Sequence, residues 1–546
     1  MKSYRVRERQ HDDLVDDLLL ARGIMPEAKE HFLNPDYIAD GHDPMLLPDM
    51  PAAVERILSA QKNNEKVAVW SDYDCDGIPG GVLLTEFLRA MGLAVTHYIP
   101  HRHKEGYGLN NEGIDELVEQ KVSLMITVDL GTTDIECVAY AKAKGVDTIV
   151  TDHHLVHGAL PDALVINPKR PDSKYPFDGL CGAGVAWKLA QALQNKTHTL
   201  GEGQEKWLLD LAGLGTLSDM VPLVGENRML ARFGLTVMRR ARRPGLRALL
   251  EVLRIKPSTL TEDDVAFMVS PRINAASRMD NPHVAAALLG ATDGARAVEL
   301  ARELNTINDA RKTLVATTVK EANKRLALGT PSPLIVMGSP AWRPGILGLV
   351  ANSLMEAHGK PVFLWGREGG TAIRGSVRSN GVSVVELMGA AKDAFEEFGG
   401  HTASGGFSLA EEKVHELPAR LQSAYETLAA QGVVSEEKIV DRELSLAEVP
   451  AAYKDLQQLA PFGVGNTKPL FIFGQTTIKS MKTFGKQQNH LDFYLEQNGA
   501  HTGAIAFFSN SESFTKKAAG GVRADIVGHV EMDWRGKPRI RVVDII

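Results

Sequence analysis

Between about residues 64 and 220 the chain alternates short β-rich runs with helical ones, and no other feature limits its fold as strongly. "KVAVW" (66–70) leads into "GVLLTEFLRAMG", and "LMITV" (124–128) into "DIECVAYAKAKG"; "DTIV" (147–150) and "ALVIN" (163–167) follow. Gly92 and Gly145 stand where helix C-caps are expected. Apolar strands joined by helices of this length predict βαβ units, and so a parallel sheet covered on both faces.

The remaining pattern divides the 546 residues further, as their number requires, since one core cannot organise so long a chain. Residues 1–225 are read as an N-terminal segment with the first α/β domain, and 226–330 as a helical connector. The connector ends in a long amphipathic helix with Leu300, Leu304, Ile307 and Leu314 at helical spacing. A second, smaller α/β domain covers 331–432, where "PLIVMG" and "PVFLW" flank "GILGLVANSLMEAHG". Residues 433–546 change to short β runs separated by Gly, Asn and Lys, the pattern of a small all-β barrel.

No run of 18 apolar residues occurs and the N-terminus lacks an apolar h-region, so neither a membrane span nor a secretory signal is expected. Three cysteines without paired spacing (Cys75, Cys137, Cys181) argue against a disulfide framework or thiolate zinc, and suit a cytoplasmic protein. The net charge of −7 means that a nucleic-acid partner would be held by local basic patches. "MRRARRPGLR" (238–247) reads equally as such a patch or as a solvated helix end.

Four polar clusters fall at strand ends or in the loops just beyond them. They are Asp72, Asp74 and Asp76 in "WSDYDCDG", Asp129 in "ITVDLGTT", Asp152, His153 and His154 in "TIVTDHH", and Asp219 in "GLGTLSDMVPL". Each alone is weak: 17 histidines in 546 residues give about 0.5 His-His pairs by chance. Their shared topological place is stronger, because parallel sheets bind ligands beyond the carboxyl ends of their strands. Converging carboxylates repel unless cations neutralise them, and Asp and His donors without Cys suit Mn²⁺ or Mg²⁺. Two such ions favour in-line displacement at phosphorus, so the residues point to a metal-dependent phosphoester hydrolase.

These motifs, in this order, resemble those of the DHH phosphoesterase superfamily. With "HRHKEGYGLN", "SPRINAASRM", "WRPGILGLVANSL", "GSVRS", "GGHTASGGFSL" and "LAPFGVGNTKPLF", nearly the whole chain is similar to the RecJ family of single-stranded-DNA-specific 5′→3′ exonucleases. The resemblance implies a DHH domain, a connecting helix, a DHHA1 domain and an OB fold. It implies two divalent ions held by Asp74, Asp76, Asp129, His153 and Asp219, with Asp129 as the bridge. His154 would face the scissile phosphate, with catalytic weight also on Asp129 and Asp76. Asp72 and Asp152 would orient ligands or water from behind.

The same resemblance puts Arg102, Arg278, Ser376 and Arg378 on the 5′-phosphate and brings His401 toward the nucleotide. Arg272 stays open between that pocket and a structural ion pair. Phe484, Lys486 and Trp534 are candidates for a strand-binding groove on the barrel, although barrel aromatics are more often core. Departures at Leu130, Thr132 and Arg343 touch no candidate ligand. The expected partners are single-stranded DNA, a helicase and a single-strand-binding protein, in DNA recombination and repair, and the expected state is a monomer. The competing readings are a DHH phosphodiesterase of short oligonucleotides or cyclic dinucleotides, which usually lacks the barrel, and a non-catalytic scaffold, which should have lost carboxylates.

Overall fold

The computed structural model describes residues 3–102, 105–279, 281–367, 372–429, 437–485 and 488–546. The chain folds into two compact units, neither continuous in sequence: His42–Val221 with Leu230–Ser435, and Met1–Gly41 with Pro222–Met229 and Glu436–Ile546.

The larger unit begins with the parallel sheet. Its strands are β1 (Lys66–Ser71), β2 (Ala94–Tyr98), β3 (Val122–Val128), β4 (Asp147–Thr151) and β5 (Leu164–Ile166), in the order β2-β1-β3-β4-β5. Every pairing is parallel. Val67, Ala68, Val69 and Trp70 of β1 are fully buried, as a strand covered on both faces must be. The chain leaves β1 to one side for β2 and returns to the other for β3. The carboxyl ends of β1 and β3 therefore flank a topological switch point, where α/β sheets open a crevice.

Helices α1 (Gly77–Ala90) and α2 (Gly182–Thr197) pack on this sheet, and α3 (Leu209–Ser218) packs against both helices. Helices α4 (Gly225–Arg239) and α5 (Ser270–Arg278) lead to α6 (Gly294–Leu326), the expected long connector. Leu300 and Leu304 of its apolar stripe are buried, and Ile307 and Leu314 half-buried. Beyond it lie β6 (Ile335–Ser339), α7 (Pro344–His358), β7 (Val362–Gly366), β8 (Ile373–Arg378), β9 (Glu397–Gly400) and β10 (Ser404–Leu409). Their sheet runs β9-β10-β8-β7-β6, with only β6 and β7 parallel, as the strand–helix–strand pattern requires.

The smaller unit is built on a barrel of β11 (Phe471–Phe484), β12 (His490–Gln497), β13 (Ala500–Ala506), β14 (Arg523–Met532) and β15 (Pro538–Ile545). The β11–β14 pairing closes it, leaving no open edge between first and last strands. Phe471, Phe473, Ile478, Leu491, Leu495, Ile526 and Ile540 fill its core. Chain order had grouped the N-terminal segment with the first sheet. Instead Leu14, Leu18, Phe32 and Leu33 bury their side chains in the barrel's own apolar cluster, and Tyr4–Val6 pairs in parallel with Lys438–Val440. An apolar helix stripe settles on whichever complementary face is open, and sequence neighbourhood does not choose that face.

Candidate active site

The sharp exit from β1 brings the first three aspartates together. Asp74 Oδ1 accepts the N–H groups of Asp76 (2.8 Å) and Gly77 (3.1 Å), which folds the loop onto the start of α1. Gly77 is required by close approach, since a Cβ there would lie 2.6 Å from the Asp72 carbonyl oxygen. Asp76 is gripped from α2: its carboxylate accepts the N–H of Gly182 (2.6 Å) and of Ala183 (2.9 Å) at that helix's N-terminus. Asp129 follows β3 in the left-handed region, φ 68°, and its N–H donates to Thr151. Gly182 also lets α2 approach Asp129, because a Cβ would come within 2.4 Å of the Asp129 Cβ.

The result is a buried cluster with too much negative charge. Asp72, Asp76 and Asp129 are each at most 5% exposed. Burial, then the neighbouring charges of Asp76, Asp74, Asp72 and Asp219, hold the Asp129 carboxyl well above the ordinary range. Burial and the charge of Asp74 do the same to Asp72. Asp76 is pushed up to about 6 by burial and Asp74, against the helix N–H groups. Asp219, at the end of α3, is pushed up to about 9 by burial and then by Asp76 and Asp74. Among the described residues no hydrogen-bond donor reaches the buried Oδ1 of Asp72 or of Asp129.

His153 Nε2 sits among these groups, 3.1 Å from Asp129, 3.6 Å from Asp219 and 3.8 Å from Asp76. Burial, and then the charge of His154, push its imidazole down to about 3, so the ring is neutral. With the proton on Nδ1, its Nε2 lone pair and the carboxylate oxygens all offer electron pairs to one space. Three sets of ligand atoms lie within 4.8 Å of one another: Asp76, His153 and Asp219; Asp72, Asp74 and Asp129; and Asp129, His153 and His154. Oxygen and imidazole donors without thiolate fit a hard divalent ion, and orphaned buried oxygens are the expected mark of one. Asp72, expected to act from behind, has a ligand atom among those of Asp74 and Asp129.

Asp152 stands behind the histidines and holds both through hydrogen bonds. Its Oδ1 accepts the N–H of His153 (2.7 Å) and of His154 (3.2 Å) and meets His154 Nδ1 at 2.7 Å, while Oδ2 accepts the Thr132 N–H. Burial raises the Asp152 carboxyl, but the hydrogen bond and charge of His154 outweigh it and bring it below the ordinary range. Burial likewise lowers His154, and its bond to Asp152 more than reverses this, so His154 holds its proton to higher pH than a free histidine.

Arginines gather beside the Asp72–Asp74 end. Arg102 lies over the Tyr73 ring at 4.8 Å. Arg278, at the end of α5, donates to the Gly345 carbonyl (3.0 Å). It is pushed down to about 9 by burial and by the charges of Arg102, Arg311 and Arg378, with Asp74 opposing. Arg378 donates to the Val377 carbonyl, and Ser376 is half-buried two residues before it on β8. Sequence reasoning missed Tyr73, and it missed Arg311 and Asn308 on α6. Arg311 Nε and both amide atoms of Asn308 are buried without a hydrogen-bond partner among the described residues. Their only signal was polar residues one helical turn apart within an apolar stripe.

Other candidates fall away from the cluster. Arg272 donates to the Met268 carbonyl (2.7 Å) and to Asn305 Oδ1 (3.1 Å), which ties α5 to α6. His401 is exposed on the β9–β10 turn, where its N–H donates to Ser404. Most of "MRRARRPGLR" is structural: Arg243 is clamped between Glu86 (2.6 Å) and Asp210 (2.7 Å), and Arg242 lies over Trp207. On the barrel, Phe484 packs near His490, which also meets Phe507 and Phe508, and Trp534 is exposed with Arg535 over it. Lys486 lies outside the described residues.

This donor set, gathered at the switch point of a parallel sheet, defines a hydrolase of the DHH class. The family model "DHH family, N-terminal domain" matches residues 66–216, the DHHA1 domain 332–427 and the RecJ OB domain 440–543. The single-stranded-DNA-specific exonuclease RecJ of Bacillus subtilis is 33% identical over 97% of this chain and 67% of its own length. That of Haemophilus influenzae is 32% identical over 86% of each. The crystal structure of Thermus thermophilus RecJ in complex with Mn²⁺ superposes with a TM-score of 0.81 at 29% identity, covering all of this chain and 79% of that one. The chain belongs to the RecJ family.

Proposed function

We propose that this chain is a metal-dependent exonuclease that degrades single-stranded DNA from its 5′ end and releases 5′-mononucleotides. One observation carries the reading: a single compact unit joins a carboxylate–imidazole cluster short of positive charge to a cluster of half-buried arginines with an excess of it. Two divalent cations, Mn²⁺ or Mg²⁺, would be held by Asp74, Asp76, Asp129, His153 and Asp219, with Asp129 shared and Asp72 beside them. When bound, such ions activate water and offset charge at the phosphoryl oxygens.

The protein's own groups supply orientation. His154, fixed through Nδ1 by Asp152, would donate from its other nitrogen to the scissile phosphate. Arg102, Arg278, Ser376 and Arg378 would hold the terminal phosphate, with Arg311 and Asn308 supplying further donors. A pocket for a chain end beside the centre of hydrolysis makes cleavage start from that end. His401 would reach toward the nucleotide from the second α/β domain, and the barrel would hold the strand. We assign the functional boundaries near residues 225, 330 and 432. Work in DNA recombination and repair, beside a helicase and a single-strand-binding protein and as a monomer, completes the reading.

The test is a time course on 5′-labelled and 3′-labelled single-stranded oligonucleotides, with Mn²⁺ and with chelator. Immediate release of 5′-labelled mononucleotide with progressive shortening of the 3′-labelled strand, only with metal, is the expected result. Cleavage of dinucleotides without loss of long strands would overturn it.

A further inference from the structure

One cation near the cluster has no part in the proposed chemistry. The strand order β2-β1-β3-β4-β5 sets out the carboxyl edge of the parallel sheet as a row. Arg102 follows β2, and Asp72, Asp74 and Asp76 follow β1. Asp129 follows β3, His153 and His154 follow β4, and Lys169 follows β5. The ends of the row lie four strand spacings apart, about 19 Å. An arginine therefore stands at one end and a lysine at the other, with the candidate metal ligands between them.

The loop that carries Lys169 is fastened to the site. Asn167 is fully buried; its Nδ2 donates to Thr132 Oγ1 at 3.0 Å and to the His154 carbonyl at 2.9 Å, and its Oδ1 accepts the Lys169 N–H at 2.9 Å. The next residue, Arg170, is engaged in structure. It pairs with Asp49 (2.5 Å) and Asp172 (2.7 Å) and donates to the Val165 carbonyl. Lys169 is half-buried and makes no ion pair among the described residues. Its charge acts on Asp219 and His153, whereas Arg102 acts on Asp72, and Arg278 interacts with Asp74. The cluster thus meets a different cation at each end.

We propose that Lys169 holds the phosphate that lies one step to the 3′ side of the scissile one. The proposal rests on the reading of this site as that of a 5′→3′ exonuclease. With the terminal phosphate on the arginines and the scissile phosphate over the carboxylate–imidazole cluster, a strand laid along the row brings its next phosphate to the β5 end. That phosphate has to be held without being cut, and then released as the strand advances by one nucleotide. An ammonium on a flexible stem, a point charge without a fixed fork of donors, suits that task.

The experiment compares two 5′-phosphorylated trinucleotides in Mn²⁺, one with ordinary linkages and one whose second linkage is an uncharged methylphosphonate. Release of the first nucleotide is followed, so the scissile phosphate is the same in both. For the parent, the methylphosphonate should raise KM by about tenfold, the scale of one hydrogen bond to a charged group, and leave kcat unchanged. Lys169→Met should show that higher KM on both substrates, and Lys169→Arg should restore the difference between them. Lys169→Gln serves in place of Lys169→Met if thermal melting shows the latter unfolded. Equal KM values for the two substrates in the parent overturn the proposal, and so does a tenfold difference that survives in Lys169→Met. A fall in kcat on both substrates alike would move Lys169 to the scissile phosphate and overturn it as well. A parent that hydrolyses neither trinucleotide overturns the exonuclease reading beneath it.

Discussion

Each unit buries an aspartate among charges, and the two are opposite in construction. Asp17 of the smaller unit is fully buried; it accepts Arg7 Nη2 at 2.8 Å and Nη1 at 3.1 Å, and the N–H groups of Gln10 and His11. Burial raises its carboxyl, but the Arg7 bond and the backbone donors together leave it below the ordinary range. Asp129 of the larger unit is almost as buried, yet its neighbours are four carboxylates and an imidazole, and its pKa is raised. A structural buried charge brings its partners with it, whereas a charge left without them is waiting for something from outside. Burial alone does not separate the two, and the donor inventory does.

Asp129→Ala tests the contrast most severely. Turnover should fall by at least about a thousandfold, roughly 4 kcal/mol of barrier, while single-strand binding followed by fluorescence anisotropy persists. Retained turnover would break the assignment of the shared ligand. His154→Ala should cost about a hundredfold in kcat, as loss of a proton donor does, with the Mn²⁺ stoichiometry unchanged in a titration. A changed stoichiometry would move His154 from the phosphate to the metal.

Neutralising each aspartate in turn should shift the stability of the metal-free protein in opposite directions. Asp17→Asn strands Arg7 and should cost about 3 kcal/mol in denaturant unfolding of the smaller unit. Asp129→Asn removes a repelled charge and should stabilise the metal-free larger unit by about 1 kcal/mol. Equal signs would erase the distinction drawn here.

The smallest expected effect is on pH. Asp17, depressed on folding, contributes stability above the ordinary carboxylate range and loses it as pH falls through that range into acid. Asp76 and Asp219, raised to about 6 and about 9, bind protons on folding. Their part of the metal-free stability is therefore greatest at low pH and is lost as pH rises toward 9. With chelator, the larger unit should melt about 3 °C lower at pH 9 than at pH 6, and Mn²⁺ should abolish that slope.

Much of this was legible along the chain. The parallel sheet, the connector helix, the second α/β domain and the barrel follow from local pattern, because strand and helix periods are written in neighbouring residues. Asp74, Asp76, Asp129, His153 and Asp219 were legible because their motifs lie at strand and helix ends, the places where an α/β sheet gathers ligands. An orienting role for Asp152 came from the resemblance alone; in the structure its Oδ1 accepts the N–H groups of the two histidines that follow it.

What depended on distance in sequence was not legible. That Leu14 and Phe32 complete the barrel's core, that Arg243 is spent on Glu86 and Asp210, and that Arg311 lies near Arg278 are facts of packing between remote segments. By itself the sequence determined which elements form and which chemistry their ends carry, through local periodicity and side-chain type. Only the tertiary structure decided which buried charges are satisfied, because the donors that satisfy a charge arrive from wherever the folded chain brings them.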